Sequence, residues 1–259
     1  MDLMPGIPLY QRWRALSMPQ KVAIVEQVAD FETQILRHGF RMIGALHASP
    51  DSGKQSHDIT PRQIVSRYFF WGDHFNYNVP RGPFRGSHDW LKTYLDIIAL
   101  DHASDRVEAE DEEDKEDAER VLQIFCRLLE LLPKIFPPLL NPPERTVLWH
   151  DDLSLHNILV DNDGNITALL DWERVSTMPL WVASQLPKFL TGATRIEEPI
   201  RDQYGDESLE EAAAARQEGI DDGLDNEGKT ELYWIHLLEY EQTRLREVYA
   251  ARMRQLRSE

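Results

Sequence analysis

The chain has little cysteine and no long apolar run. Its one cysteine, Cys126, excludes an intramolecular disulfide and is typical of a reducing compartment. No run of about 18 apolar residues occurs, which excludes an apolar membrane-spanning helix. The opening residues MDLMPGIPLYQRWR lack the basic start and apolar stretch of a secretory signal. The sequence therefore predicts a cytoplasmic protein without a membrane partner.

Acidic residues outnumber basic residues by 45 to 28, so the formal net charge is −17. That charge would repel a phosphate backbone and argues against nucleic acid as a partner. Two stretches hold the whole excess: residues 105–120 have ten acids and three bases, and residues 197–227 have twelve acids and two bases. The remainder is balanced at 23 of each. The body of the protein can therefore accept an anionic ligand.

The two acidic stretches predict insertions into the domain. They have too few apolar side chains to offset the entropy lost on ordering, so we expect them to be solvated and partly disordered. Binding of a cation by an acidic loop is the alternative for residues 105–120.

Apolar residues at helical spacing predict four longer helices. In the first, Ser17 is placed to cap the N-terminus, Gln20 completes the capping pattern and Gly39 ends the helix. The predicted spans are residues 17–39, 87–100, 118–132 and 229–256. Cys126 lies in the third of these helices and is expected to be an inert packing residue.

The centre of the chain changes to a strand pattern. A short strand is predicted at Thr146–Trp149, and two apolar runs, residues 157–161 and 166–171, flank the turn sequence DNDG. The prediction is a strand, a polar loop over residues 150–156 and a tight hairpin among helices. The fold class is thus α+β, mainly α.

Ionisable residues concentrate around this hairpin. The loop HDDLSLHN presents Asp152, Asn157 follows at the mouth of the hairpin, and the returning strand brings Asp171 back beside Asn157. One carboxylate and one amide oxygen form the oxygen-only site that Mg²⁺ prefers, with positions left for water and phosphate. Asp152 remains available to orient and deprotonate a nucleophile. This division of roles suits phosphoryl transfer.

These residues resemble the catalytic segment of the aminoglycoside phosphotransferase and choline kinase family, which has a protein-kinase-like fold. The pattern is His-x-Asp, four residues, Asn, and a later Asp at a strand end, and HDDLSLHNILVD followed by ITALLDWE matches it without a gap. The segments FRMIGALH, RGPF and PLWVASQLPKFL resemble a fungal-type branch of the family. The resemblance extends over nearly the whole chain, and only the middle block is specific.

The resemblance implies a role for each matching position. Asp152 would be the catalytic base, and Asn157 and Asp171 would bind Mg²⁺ bridging the phosphates of ATP. His150 would support the loop from behind, and Glu173 would line the substrate side. The expected function is transfer of phosphate from ATP to a hydroxyl of a small molecule of unknown identity.

The resemblance also shows what is missing. MPGIPLYQRW resembles the linker after the adenine-contacting hinge, so residues 1–16 are interpreted as a linker remnant and residues 17–259 as the C-terminal lobe, with the acidic insertions at 105–120 and 197–227. No GxGxxG occurs, and the first lysine, Lys21, lies inside a predicted helix. The chain is therefore predicted to lack an N-terminal lobe.

Two further hypotheses follow. The chain is a phosphotransferase, whether active or inactive without an N-terminal lobe, or alternatively a non-catalytic pseudokinase or binding module that retains the C-lobe fold. Loss of that lobe would also expose apolar surface near Met1–Trp13 and the hairpin, so self-association is expected.

A competing chemistry uses the same loop differently. His150, Asp151, His156 and Asp171 could be the ligands of a metal phosphohydrolase. Against this, no further histidines stand at metal-ligand spacing.

Overall fold

The computed structural model describes residues 4–48, 59–108, 112–138, 141–204 and 231–258. The chain folds into two compact units. The first unit consists of residues Met1–Gln34, Asp152–Asp171 and Leu186–Glu259. The second unit consists of Ile35–Asp151 and Trp172–Gln185.

The described residues are mostly helical, with two antiparallel sheets. The α-helices in chain order are α1 (Leu9–Trp13), α2 (Met18–Leu36), α3 (Arg67–Phe70), α4 (Ser87–Glu108), α5 (Glu112–Ile135), α6 (Leu180–Ala183) and α7 (Glu231–Ser258). The strands are β1 (Ile7–Pro8), β2 (Gly39–Arg41), β3 (Gly44–Ala48), β4 (Ile59–Arg62), β5 (Arg145–Trp149), β6 (Ile158–Val160), β7 (Ile166–Leu169) and β8 (Ser176–Pro179). Among the described residues, no helix has the length and apolar character needed to cross a membrane.

The first unit contains the predicted hairpin. Strands β6 and β7 pair antiparallel, and β1 adds to the free edge of β6, so the sheet order is β1-β6-β7. All three residues of β6 are buried, which matches its apolar sequence ILV. Gln27 of α2 accepts a hydrogen bond from the Ile166 backbone N–H at 3.0 Å and thereby ties the hairpin to that helix.

The second unit is built on a five-stranded sheet of order β2-β5-β8-β3-β4. Helices α4 and α5 pack against each other in this unit. Gly44 begins β3 beside β4, where a Cβ atom would lie 2.1 Å from the Arg62 carbonyl oxygen, so only glycine fits there. The apolar core of this unit includes Ile43, Ile64, Phe69, Phe84, Ile97, Met178 and Val182.

Helices α2 and α7 of the first unit are joined by two buried polar contacts. The Lys21 ammonium lies 2.6 Å from the Glu241 carboxylate, and their side chains are 3% and 12% exposed. Three turns along α2, the Tyr249 hydroxyl donates a hydrogen bond to Glu32. Burial raises the pKa of Glu32 to about 7, although the Tyr249 hydrogen bond acts in the opposite direction.

The four predicted helices are all present, with different ends. The first begins at Met18, and Gln20 accepts the Ser17 backbone N–H at 2.9 Å as the capping pattern predicts. Helices α4 and α5 are longer than predicted. The N-terminal extension of α5, residues 112–117, is rich in Glu and contains Lys115, and both residue types favour helix. The hairpin is confirmed, whereas β2, β3, β4 and β8 were not predicted.

The acidic stretch at 105–120 differs from its prediction. Its residues up to Glu108 end α4, and those from Glu112 onward form the first turns of α5, so the described part is helical rather than disordered. It is solvated as expected, since Glu116, Asp117 and Glu119 are exposed. Residues 109–111 and most of the stretch 197–227 lie outside the described residues.

One smaller expectation is wrong. Cys126 is exposed, because it lies on α5 away from the side that carries the buried Leu132.

The apolar surface expected near the N-terminus and the hairpin is covered in part among the described residues. Leu9 is fully buried, Trp13 is 4% exposed and β6 is buried, whereas Met4 is 45% exposed. Self-association through this surface stays a prediction.

Replacing Glu32 by Gln should remove a pH dependence of stability. In the unfolded chain Glu32 ionises near 4.5, whereas in the folded protein it stays protonated up to about 7. Its contribution to stability is therefore complete below pH 4.5 and is lost as the pH rises through 7. The lost free energy is about 3 kcal/mol for a shift of this size.

The measurement is urea unfolding of wild type and Glu32→Gln between pH 4 and 8. The variant should show a flatter profile and become the more stable protein above pH 7. Glu26→Gln, an exposed position on the same helix, is the matched control and should follow wild type. Parallel profiles for Glu32→Gln and wild type would contradict the assignment.

Candidate functional site

The loop between β5 and β6 places Asp152 and Asn157 together. The Asn157 side-chain Nδ2 donates to the Asp152 carbonyl oxygen at 2.9 Å, and the Asn157 backbone N–H donates to Ser154 O at 3.1 Å. Both bonds close the loop into a compact turn. Because the amide nitrogen is engaged within the loop, the Asn157 Oδ1 remains the atom available to a cation.

The hairpin turn is fixed at its far end by Asp161. Its carboxylate accepts the backbone N–H groups of Asp163 at 2.9 Å and Asn165 at 2.8 Å. The Asn165 side chain donates a further bond to it at 3.0 Å. These hydrogen bonds, that of the Asn165 side chain foremost, lower the pKa of Asp161 below its ordinary value. The sequence predicted this turn from DNDG.

The open end of the hairpin determines where Asp171 lies. Ile158 pairs with Leu169, and one residue further on the Leu170 N–H donates to the Asn157 carbonyl at 2.8 Å. Asp171 follows directly and is exposed, with a φ of 63°. This left-handed conformation costs free energy for most L-residues and is tolerated best by Asn and Asp. The register thus brings Asp171 next to the residue that pairs with Asn157.

The Asp152 side chain has a partner that the sequence did not predict. Its Oδ1 lies 3.0 Å from the Lys188 Nζ, and the two side chains are 19% and 62% exposed. Lys188 begins a short 3-10 helix, Lys188–Leu190. Its segment PLWVASQLPKFL was noted only for its resemblance to the family. No local spacing links positions 152 and 188, so tertiary contact alone reveals the pair.

Two backbone hydrogen bonds hold the loop from outside. The Phe189 N–H donates to the Leu153 carbonyl at 3.0 Å, and the Tyr10 N–H of α1 donates to the Leu155 carbonyl at 3.0 Å. The Tyr10 ring also stacks on His156 with 4.2 Å between ring centroids. His156, to which the sequence assigned no role, therefore packs against α1.

His150, Asp151 and Glu173 belong to the second unit. His150 is 5% exposed and packs edge-to-face against Trp172, with 4.9 Å between ring centroids. This packing is what a structural role for His150 requires. Asp151 is partly buried, and Glu173 is exposed in a short 3-10 helix, Trp172–Arg174. The substrate-side role of Glu173 stays a prediction.

A phosphohydrolase site would need several metal ligands at one point. Within the part of the chain that the structure describes, no three His, Cys, Asp or Glu side chains gather closely enough to hold a metal ion. The set His150, Asp151, His156 and Asp171 therefore has no structural support as a ligand cluster. A Mg²⁺ site of one carboxylate and one amide does not need such a cluster, because Mg²⁺ keeps water and phosphate oxygens as its other ligands.

Comparison with known proteins gives one family and one partial relative. The model of a family described as "Phosphotransferase enzyme family" matches residues 1–182. A segment of 76 residues, 29% of this chain, is 41% identical to the Clavilactone A biosynthesis cluster protein Y of Ampulloclitocybe clavipes. That segment spans 19% of the relative's length. No solved structure matches the chain significantly.

The conformation of Asp171 leads to a stability prediction. Glycine adopts a positive φ freely and alanine does not, so Asp171→Gly should be more stable than Asp171→Ala by about 1 kcal/mol. Both changes remove the carboxylate. The difference in unfolding free energy between the two variants therefore reports the cost of the backbone conformation alone. Urea unfolding measures it.

Asp163 in the hairpin turn is the control. It is exposed, and its φ is not among the positive values of the described non-glycine residues, which are Met42 and Asp171. At Asp163 the order should reverse, with alanine equal to or more stable than glycine. The same order at both positions would argue against a strained Asp171.

Proposed function

Because the chain belongs to the phosphotransferase enzyme family, we propose that it, or the protein of which it is a part, transfers the γ-phosphate of ATP to a hydroxyl group of a small molecule with the help of Mg²⁺. In this proposal residues 17–259 form the C-terminal lobe of a kinase-like fold, and residues 1–16 form the linker before it. The observation that carries the proposal is the hairpin register, in which Asp171 directly follows Leu170, the residue whose N–H donates to the Asn157 carbonyl.

Asp152 is proposed as the catalytic base. Its carboxylate is mostly shielded from solvent, with the Lys188 ammonium 3.0 Å from Oδ1. This ion pair helps to hold the carboxylate in position, which a proton-accepting group requires. Asp152 would orient the acceptor hydroxyl and take up the proton that this hydroxyl loses as its oxygen bonds to the γ-phosphorus and the bond from that phosphorus to the bridging oxygen breaks, which releases ADP.

Asn157 and Asp171 are proposed to hold Mg²⁺. The donor set fits the ion, since the Asn157 amide nitrogen is engaged by Asp152 O, which leaves its Oδ1 available, and Asp171 presents an exposed carboxylate. When bound, Mg²⁺ neutralises the charge of the ATP phosphates. The protein's part is to keep the two ligands in place, and the Leu170–Asn157 backbone bond does so.

His150 is proposed to support the loop and not to react. Its burial and its packing on Trp172 suit that role. Glu173 is proposed to face the substrate, on the basis of its place directly after Asp171 and Trp172 in the family pattern.

A non-catalytic binding module that retains this fold is the second candidate. One observation favours it: Lys21, the first lysine of the chain, is 3% exposed and paired with Glu241. Lys21 is therefore unsuited to binding the ATP phosphates, and the chain contains no GxGxxG. Nucleotide binding without transfer would distinguish this candidate from an enzyme.

The test compares two adjacent carboxylates. The full chain is incubated with Mg²⁺, γ-labelled ATP and a collection of hydroxyl compounds, and label transfer is measured. Asp152→Asn should lower the rate by roughly 10²–10⁴-fold, as for loss of a general base. Asp151→Asn, next to it in the sequence, should retain most of the rate.

Melting curves with and without Mg²⁺ and ATP accompany the assay. Both variants should melt within a few degrees of wild type, which separates a lost base from a lost fold. An increase in melting temperature with Mg²⁺ and ATP but no label transfer would favour the binding module. No increase and no transfer would refute both candidates for this chain by itself, and equal losses in the two variants would refute Asp152 as the base.

A further inference from the structure

The first unit contains a cavity beside the candidate catalytic loop. Its volume is about 360 Å³, enough for a small organic molecule. The walls come from α1, the start of α2, one face of α7, and Leu155 and His156 of the loop. Those two residues lie between Asp152 and Asn157 in the sequence, so the cavity and the candidate catalytic residues share one loop.

A second contact joins the cavity to Asp152. Trp13, which lines the cavity, packs edge-to-face against Phe189 with 6.0 Å between ring centroids. Phe189 is bonded through its N–H to Leu153, and the adjacent Lys188 pairs with Asp152. A molecule held against Trp13 would therefore be held by the same framework that positions the carboxylate.

The aromatic surfaces of this cavity already bind cations of the protein itself. The Arg14 guanidinium lies 4.7 Å from the ring centroid of Trp234, and the Lys21 ammonium lies 5.2 Å from that of Trp13. Stacking of a cation on an aromatic face is the means by which proteins recognise quaternary ammonium ligands. In this cavity a cationic side chain of the protein already lies over each of the two indole rings.

Among the described residues that line the cavity, the one carboxylate is already paired. Glu241 is the acidic residue among the described residues that line the cavity, and its partner Lys21 lies 2.6 Å away. An ammonium group entering here would have to displace Lys21 from a buried pair. The cavity is therefore poorly suited to polyamine sugars and to choline-like amines.

Two hydrogen-bond donors in the lining have no acceptor. The indole Nε1 atoms of Trp13 and Trp234 are shielded from solvent and have no hydrogen-bond partner among the described residues. Trp13 as a whole is 4% exposed. Buried donors without acceptors are costly, so a ligand oxygen that reached either indole N–H would relieve that cost. The lining also includes Leu155, Leu237 and Leu238.

We infer that this cavity binds the acceptor substrate, and that this substrate is an uncharged or anionic compound with an apolar ring and oxygen acceptors. That the ligand is a substrate rests on the proposed phosphotransferase function. The chemical class of the ligand rests on the cavity alone. Shape and apolar walls supply the affinity, the indole donors orient the oxygens, and the protein's own cations exclude amines.

The experiment uses three probes with the same ring and different charge. Naphthaleneethanol, naphthaleneacetate and naphthaleneethylamine are titrated separately into the full chain by calorimetry, without nucleotide. The alcohol and the acetate should bind about tenfold more tightly than the ammonium. Equal or tighter binding of the ammonium would overturn the inference, and so would failure of all three to bind at millimolar concentration.

Variants locate the binding. Trp234→Phe and Trp13→Phe keep a ring and remove the donor, and each should weaken the alcohol and the acetate by about fivefold, the effect of one lost hydrogen bond. Trp71→Phe is the control, because Trp71 is 57% exposed and belongs to the second unit. Binding that neither variant weakens would place the ligand elsewhere and overturn the inference. Trp234 is only partly buried, so its variant carries the test even where Trp13→Phe fails to fold.

The two proposals fail separately. Probe binding with the predicted preference, in a chain that transfers no phosphate, would support the ligand class and refute only the enzymatic function. Label transfer to an amine acceptor, with no binding of the neutral and anionic probes, would support the function and overturn the ligand class.

Discussion

The candidate site depends on one backbone hydrogen bond, from the Leu170 N–H to the Asn157 carbonyl at the open end of the hairpin. A hairpin slipped by one residue would turn every side chain to the opposite face and separate Asp171 from Asn157. The turn at the other end prevents this, because the Asp161 carboxylate accepts the N–H groups of Asp163 and Asn165. An ordinary turn thus fixes the position of a side chain ten residues away.

The loop that carries Asp152 depends on more distant parts of the chain. Tyr10 and Phe189 each donate a backbone hydrogen bond to it, and Lys188 supplies the cation beside the carboxylate. A loop held only by its own turn would leave the carboxylate free to move, and a base must be held in place to act. The three contacts supply that rigidity and come from segments that sequence spacing does not connect.

How much the sequence could predict follows from this difference in range. Helix α2 and the hairpin were predicted because periodicity and turn chemistry act over a few residues. Four strands of the five-stranded sheet were missed because they are short and include Gly44 and Pro61. In addition, β2 and β3 pair with β5 and β8, which lie more than 100 residues further along the chain. Lys188 and the two indoles were missed for the same reason, since nothing near them in the sequence marks them as site residues.

The buried charges of α2 connect the fold to the proposed ligand preference. The face of this helix that packs on α7 includes Lys21 and Glu32. Both are charged residue types, and the pattern of apolar residues in α2 does not predict their burial. Such buried polar contacts add little net stability over apolar packing, but breaking one partner is costly, so they favour a single alignment of the two helices. Since Glu241 pairs with Lys21 in that alignment, the described lining of the cavity leaves no carboxylate for a cationic ligand. The exclusion of amines is therefore a consequence of how the helices pack.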